Sequence, residues 1–512
     1  MSKEIPCLNT VAGRLNGDLC KPVKPIEYKV MKNKPNIISV IICYFLILLW
    51  VYAGVSKLAD FENFQIQLAQ SPLLGDYSVL ISYVVILTEF LFVFLLAVPK
   101  VRLTGLYGSL GLMSAFTVYI YLIVYFSESI PCSCGGILEK MDWNDHLIFN
   151  ILCIVLILTA IFTFGPGAVS KKRLMGLAVV AIGLPSLVPA LLFYPHLHDN
   201  EGNFTRKIVY PLTDQQRILE FPADHYYFAG NRGDTLFLGQ RKTPLLLSTV
   251  MPEFNNIQVN TLRLNHYKYP FVSATVNVLY PYFSVSDGKV PAVFEGKLPS
   301  LEAHDIGIYR LYFSRFYMLR PQQYIFKTML VKTKESELGI LHTAPKKYHL
   351  YPDVLQSHSD GIFDTDGDIT VDHDNQQIVY THLYRNEIIT TDFNLGHVRR
   401  TRTIDSLSHT VLETKILTNG QTKLLRSPTI INRIQAVSNH KFYNVSSIRG
   451  KNESYSDARK NHCIDVYDAL TKKYLYSFYI KKNKRSRIKS ILATKHYLYV
   501  LSGSQLTRYT FK

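Results

Sequence analysis

Lys171-Lys172-Arg173-Leu174-Met175-Gly176-Leu177-Ala178-Val179-Val180-Ala181-Ile182-Gly183-Leu184 opens the last long apolar run of the chain, which continues without a charge to Tyr194. Four more such runs precede it. Beyond Asp199 the apolar residues alternate with polar ones, and charge returns. That division sets the fold class: an α-helical polytopic membrane half followed by an all-β half. The 512 residues are 48% apolar and only 19% charged, against about 25% charged in an average soluble domain, which excludes a disordered protein.

The formal charge of +17 is uneven: residues 1–199 hold 14 Lys/Arg and 12 Asp/Glu, leaving 42 and 27 for the remainder. Those cations are spread among acids and aromatics, apart from Lys481-Lys482-Asn483-Lys484-Arg485-Ser486-Arg487, which has the pattern of a solvated loop. Anionic lipid headgroups are the expected neighbour, and no nucleic acid.

Spans are expected near Asn36–Ser56, Tyr77–Val98, Leu103–Phe126, His146–Phe164 and Leu174–Tyr194, each long enough for about 30 Å of hydrocarbon. The N-terminal tail and the second and fourth linkers carry twelve Lys/Arg, whereas the opposite linkers carry only Lys57 and Lys140. This positive-inside pattern predicts a bacterial inner-membrane protein with a cytoplasmic N-terminus and a periplasmic C-terminal half. The basic tail lacks an apolar core for about 35 residues, so the first helix is expected to be an uncleaved anchor. The expected parts are a tail (1–35), four helices (36–165), a fifth helix with its linker (166–198) and the all-β domain (199–512).

Of the seven cysteines, Cys7 and Cys20 fall in the cytosolic tail, where thiols stay reduced, Cys43 and Cys153 in helices, and Cys463 alone in the β half. Cys132 and Cys134 lie together in the third linker, between Pro131 and Gly135-Gly136. Bridging an i, i+2 pair requires a bent backbone, which Pro131 and the glycines favour. Strained, exposed disulfides are the labile and catalytic ones. A static disulfide and a Cu(I) site on two thiolates are the alternatives. Glu89 falls mid-span, where a carboxyl needs a proton, a partner or a cavity. His146, Asn150 and Cys153 follow one face of the fourth helix, and His146 at the water boundary is placed to relay protons to the cysteines.

Taken in order, Ala53-Gly54-Val55-Ser56-Lys57-Leu58, Asp60-Phe61-Glu62-Asn63-Phe64, Glu89, Pro131-Cys132-Ser133-Cys134-Gly135-Gly136 and Trp143-Asn144-Asp145-His146 resemble the MauE/DoxX-type redox-associated membrane proteins. The resemblance covers residues 36–165. It implies a four-helix inner-membrane core acting in disulfide formation or thiol electron transfer beside thioredoxin-like partners. The added fifth helix and C-terminal domain look like those of Bacteroidetes members.

In the β half, six stretches share one pattern of aromatic and β-branched residues, namely Tyr226–Gly230, Tyr282–Ser286, Tyr324–Lys327, Ile378–Thr381, Lys441–Val445 and Tyr497–Leu501. Their starts are spaced like four-stranded blades and predict a six-bladed β-propeller, with seven blades or a β-sandwich pair as alternatives. The terminal strand, Gln505–Phe511, is expected to close the first blade. Asp364-Thr365-Asp366-Gly367-Asp368-Ile369-Thr370-Val371-Asp372 resembles a calcium loop, but with glycine at position 4 and Asn375 at position 12 it is expected to be a solvated turn. His196 and His198 lack a third ligand, so no metal is expected.

Together these readings predict a thiol-disulfide redox protein. Cys132 and Cys134 exchange with a periplasmic thioredoxin-like protein or thiol substrate, Glu89 and His146 manage protons, and a membrane quinone is the candidate electron partner. The alternative is a non-catalytic, membrane-tethered binder whose propeller recognises a peptide, glycan or protein.

Overall fold

The computed structural model describes residues 36–71, 73–126, 143–164, 171–193, 202–308, 310–358, 362–418, 420–483 and 487–512. Cys7, Cys20, Cys132, Cys134, Lys140, His196 and His198 lie outside the described residues.

Helix α1 (Ile37–Ala59) starts at Asn36, whose side chain accepts the Ile38 N–H and so satisfies one of the open donors of the first turn. At 1.5 Å per residue its 23 residues reach about 35 Å, enough to span a bilayer. A short helix α2 (Phe61–Ala69) and a 3₁₀ turn (Gly75–Tyr77) lead into α3 (Ser78–Ala97), then α4 (Arg102–Phe126), α5 (Trp143–Phe164) and α6 (Lys171–Phe193). All but α2 are long and apolar enough to cross a membrane, so the protein is multi-pass with five spanning helices. Their outer faces are strips of exposed Ile, Leu, Val and Phe, as expected where lipid is the neighbour.

Ser39 Oγ and Thr163 Oγ1 lie 2.7 Å apart, joining the start of α1 to the end of α5, so these helices are antiparallel. Trp50 Nε1 donates to Ser109 Oγ at 3.0 Å inside a core of Ile42, Leu46, Leu96, Leu106, Leu110 and Ile157. The fifth span is no loose addition. Tyr107 Oη donates to Leu174 O at 3.1 Å, and Gly111 lets Pro185 approach so closely that a Cβ there would stand 3.0 Å from its ring.

The β half is a six-bladed propeller. Blade 1 is β2–β5 (Tyr226–Arg232, Thr235–Gln240, Leu246–Val250, Ile257–Thr261). Blade 2 is β7–β10 (Thr275–Leu279, Tyr282–Asp287, Ala292–Lys297, Glu302–Asp305), with the two-residue β6 (Arg263–Leu264) at its edge. Blade 3 is β11–β14 (Arg315–Arg320, Gln323–Met329, Ser336–Thr343, Lys346–Tyr351), and blade 4 is β15–β18 (Gly367–Asp372, Gln377–His382, Glu387–Asp392, Arg399–Arg402). A hairpin, β19–β20 (Thr414–Ile416, Thr422–Leu424), intervenes before blade 5, β21–β24 (Asn432–Ser438, Lys441–Ser446, Asn461–Asp468, Tyr474–Lys481); the connection between β22 and β23 carries the short helix α7 (Tyr455–Lys460). Blade 6 is β25–β27 (Ile488–Ala493, Tyr497–Ser502, Gln505–Phe511) completed by β1 (Leu212–Glu220).

The six stretches singled out in the sequence fall one in each blade. Five are second strands, buried on both faces between neighbouring blades, which is why they read as near-continuous apolar runs. Each blade–blade junction has its own apolar cluster, the smallest being Val379, Ile388, Phe442 and Tyr467 between blades 4 and 5. Closure runs opposite to the expectation: the domain's first strand, β1, pairs antiparallel with β27 and completes the last blade. The Asp364–Asp372 stretch also differs from a solvated turn. Asp364 and Asp372 are buried, Asp366 pairs with Lys327 Nζ at 3.1 Å and Asp368 with Arg315 Nε at 2.8 Å. Blade 3 thus supplies the cations that draw this acidic segment in, and each carboxylate faces its own partner rather than a common centre. Among the described residues no three His, Cys, Asp or Glu are grouped as metal ligands.

Because the strands of a blade alternate in direction, second-to-third turns and blade-to-blade connections share one face of the propeller, and the other turns share the opposite face. The helices meet the first of these faces.

Candidate functional site at the bundle–propeller junction

Glu89 lies eleven residues into α3, about 16 Å along the helix axis. Its carboxylate is wholly buried, and Oε1 accepts from Lys57 Nζ at 2.7 Å. Lys57, read in the sequence as a linker charge, is in the last turn of α1. Helical Cα–Cβ bonds tilt toward the N-terminus, so its chain turns back into the bundle. There Nζ also donates to Ala53 O at 3.2 Å and stands 5.8 Å from the Phe64 ring. Glu89 Oε2 is buried with no hydrogen-bond partner. A pocket of about 90 Å³, lined by Ser56, Lys57, Asp60, Asn63, Phe64, Gln67 and Lys423, opens beside the pair. At about 30 Å³ per water it has room for a few molecules next to the buried charges.

Lys423 belongs to the propeller. The β19–β20 hairpin caps α2: Lys423 Nζ donates to Asn63 Oδ1 at 2.5 Å, and Thr418 N and Oγ1 donate to Glu62 Oε2 at 3.2 and 3.1 Å. Lys415 Nζ stands 3.4 Å from Glu62 Oε1, Gln70 Nε2 donates to Leu424 O at 2.8 Å, and Arg426 pairs with Asp76 at 3.0 Å. The Thr418 backbone N–H, foremost, with the Thr418 hydroxyl and Lys415, holds the Glu62 carboxyl below its ordinary range. A second contact comes from blade 5, where the Arg459 guanidinium lies 4.2 Å over the ring of Phe126, the last residue of α4.

Phe126 and Trp143 flank the third linker. Phe126 is against the propeller, and α5 begins at the same end because it is antiparallel to α1, whose C-terminal end carries α2 under the hairpin. His146 is in the first turn of α5, half-buried, with its ring tilted against Trp143 at 6.3 Å. Cys153 and Cys43 both join the bundle core, and Asn150 is buried. Of the four predicted site residues, Glu89 and His146 are thus on described helices, and Cys132 and Cys134 are in the linker outside the described residues. Sequence reasoning missed Lys57 as the partner of Glu89. The signal that could have found it was a lysine closing one span opposite an acidic residue in the next, antiparallel one.

The propeller holds a cleft of about 700 Å³ with Tyr282, Glu295, Lys297, His304 and Lys346 in its walls.

No curated protein matches the sequence. Among solved structures, a DUF4221-family member from Bacteroides vulgatus shares 12% identity over 61% of this chain and 98% of its own, with a TM-score of 0.38. YjhT shares 8% over 57% and 95%, with a TM-score of 0.37. An exported protein from Bacteroides fragilis shares 7% over 61% and 98%, with a TM-score of 0.35. Likenesses this distant add nothing to the blade order itself. Residues 35–163, which comprise the first four spanning helices and the third linker, match the family described as methylamine utilisation protein MauE.

Proposed function

We propose that this is a thiol-disulfide redox protein of the bacterial inner membrane, with Cys132 and Cys134 as the exchanging pair on the periplasmic side. What carries the reading is the buried Glu89–Lys57 pair, with one carboxylate oxygen unpartnered, in which a mid-span carboxylate is reached by a lysine from the end of the bundle that also carries both flanks of the cysteine linker. The MauE match, which includes both cysteines, supports the redox class.

In the forward step a thiolate of a thioredoxin-like partner attacks one sulfur of the Cys132–Cys134 disulfide, and the other sulfur leaves as thiolate. The partner's second thiolate then resolves the mixed disulfide. The partner leaves oxidised, and the pair has gained two electrons and two protons. Glu89 and His146 handle those protons, and a membrane quinone is the candidate two-electron acceptor. The propeller, held to the helices through α2 and Phe126, positions the partner.

In the reverse of this exchange the Cys132 thiolate attacks the disulfide of the oxidised partner and Cys134 resolves the mixed disulfide, so Cys134→Ser in the full chain should accumulate a reductant-sensitive adduct, and Cys132→Ser a different one or none. Glu89→Gln should slow exchange without loss of folded protein. A reporter fused after Lys512 should be active only in the periplasm, and one fused between Gly165 and Arg173 only in the cytosol. If neither cysteine variant traps a partner and exported disulfides are normal, the tethered binder is the better account. The propeller cleft favours that second reading.

A further inference from the structure

We infer that the helix-facing side of the propeller is a lipid-binding surface that rests on the anionic headgroups of its own membrane, independently of any redox role. Among the described residues, the connections on this face, with β6, the β19–β20 hairpin and α7 included, carry 18 Lys/Arg against 9 Asp/Glu. The turns of the opposite face, through Lys512, carry 4 against 3. The asymmetry belongs to the face and not to the domain as a whole.

Among the described residues, the contacts with the helices come from the connection between blades 4 and 5 and from blade 5, both on one side of the ring. Blades 1 to 3 therefore extend beyond the helices at the level of α2, which follows directly on the end of α1 and so marks the membrane–water boundary. On this overhang the β6–β7, β10–β11 and β12–β13 connections each join a cation to an exposed apolar side chain, whereas the connection from blade 3 to blade 4, residues 352–366, carries no Lys or Arg. Lys268 sits between Tyr267 (63% exposed) and Val272 (66%), and Arg310 is near Tyr312 (57%). The β12–β13 turn presents Val331 (94%) beside Lys332 and Lys334. Lys334 Nζ also donates to Gly420 O at 3.3 Å, so this turn continues the interface already made by the hairpin. Tyrosines and aliphatic residues beside Lys and Arg match an interface of headgroups over acyl chains, where a basic residue strengthens binding about fivefold.

The test uses the full chain, one copy per nanodisc, with Val331→Trp as reporter; Val331 is so exposed that folding is not at issue. In discs containing phosphatidylglycerol with brominated acyl chains, the emission added by this tryptophan should be blue-shifted and quenched. Leu470→Trp, on the opposite face, should show neither effect. Adding Lys268→Gln, Arg310→Gln and Lys332→Gln, replacing phosphatidylglycerol by phosphatidylcholine, or raising the salt should each reduce the quenching severalfold. Emission from Val331→Trp that is water-like in every lipid would overturn the proposal. Quenching indifferent to both the charge variants and the headgroup would do the same. A signal that appears only with two copies per disc would assign the face to a second copy instead.

Discussion

Two buried ionic sites, one in each half, are built to opposite rules. In the propeller, Arg206 has a side chain with no exposure, and all five of its donors are used. Nε donates to Asp465 Oδ1 at 2.7 Å, Nη1 to Ile448 O at 2.8 Å and to Glu453, and Nη2 to Ser446 Oγ and Asp465 Oδ2, each at 3.0 Å. In the helices, Glu89 has a single cation on one oxygen and nothing on the other. A saturated network in a low-dielectric interior fixes one arrangement of the chain; an unsaturated one retains the capacity to change protonation or partner. Arg206 has no further bond to give, and it ties the segment arriving from α6 to blade 5, together with Asn203 N on Ser406 Oγ at 2.7 Å and Lys451 N on Phe204 O at 2.8 Å.

The largest effect should therefore come from the saturated site. Arg206→Met strands the Glu453 and Asp465 carboxylates in the interior, and breaking a buried pair this way costs about 3–5 kcal/mol. The thermal midpoint of the propeller in the purified chain should fall accordingly, and adding Glu453→Gln and Asp465→Asn should recover part of the loss. An unchanged midpoint would break the comparison.

Lys57→Met removes the cation paired with Glu89, and a lone carboxylate at mid-span costs on the order of 2.5–3.5 kcal/mol. The realised loss should be smaller than at Arg206, because Glu89 can take a proton. Lys57→Met with Glu89→Gln should be more stable in micelles than Lys57→Met alone, read as a double-mutant cycle. Strict additivity would mean that the pair does not act as one unit.

A third buried charge falls between these cases. Lys472 in blade 5 donates to the Ala469 carbonyl and lies 3.4 Å from Gln377 Oε1 in blade 4, and burial pulls its ammonium down to about 8. Its unfolded value is about 10.4, so between these values the unfolded chain binds more protons and stability rises with pH, by roughly 1 kcal/mol or more. Lys472→Met should remove that slope in equilibrium unfolding between pH 8 and pH 10.5 while costing little at pH 7. A slope that survives the substitution assigns it to another group.

How much of this was legible depended on the range of the signal. Spans and blades show as local periodicity, and the five helices and six stretches carry it within a few residues of the observed bounds. The closing strand β1 was hidden because Leu212–Glu220 includes Thr213-Asp214-Gln215-Gln216-Arg217, a solvent-facing outer strand with no apolar alternation. The Glu89–Lys57 pair depends on antiparallel helix register across 32 positions, and the contacts of Glu62 and Asn63 span more than 350. Nothing local marks such partners. The acidic stretch at Asp364 was misread because the cations that draw it in, Lys327 and Arg315, belong to the preceding blade.

The smallest effect should appear where the two halves touch. Glu62 is a surface carboxylate, and such contacts contribute little each. It is nonetheless the point at which Thr418 N, Thr418 Oγ1 and Lys415 converge, and these donors favour its charged form. Its folded value is lowered, so its contribution to docking is complete above the ordinary glutamate range, near 4.3, and is lost as pH falls through the lowered value. The amides of β19 and β20 should exchange with solvent a few times faster, after correction for intrinsic rates, when the pH is taken from 7 to below 4. Glu62→Gln should produce that faster exchange already at pH 7 and flatten its dependence on pH, while the amides of blades 1 and 6 stay unchanged. If Glu62→Gln leaves the hairpin as protected as before, docking rests on Asn63, Gln70 and Asp76 alone, and the junction above the Glu89–Lys57 pocket is not sensitive to acid.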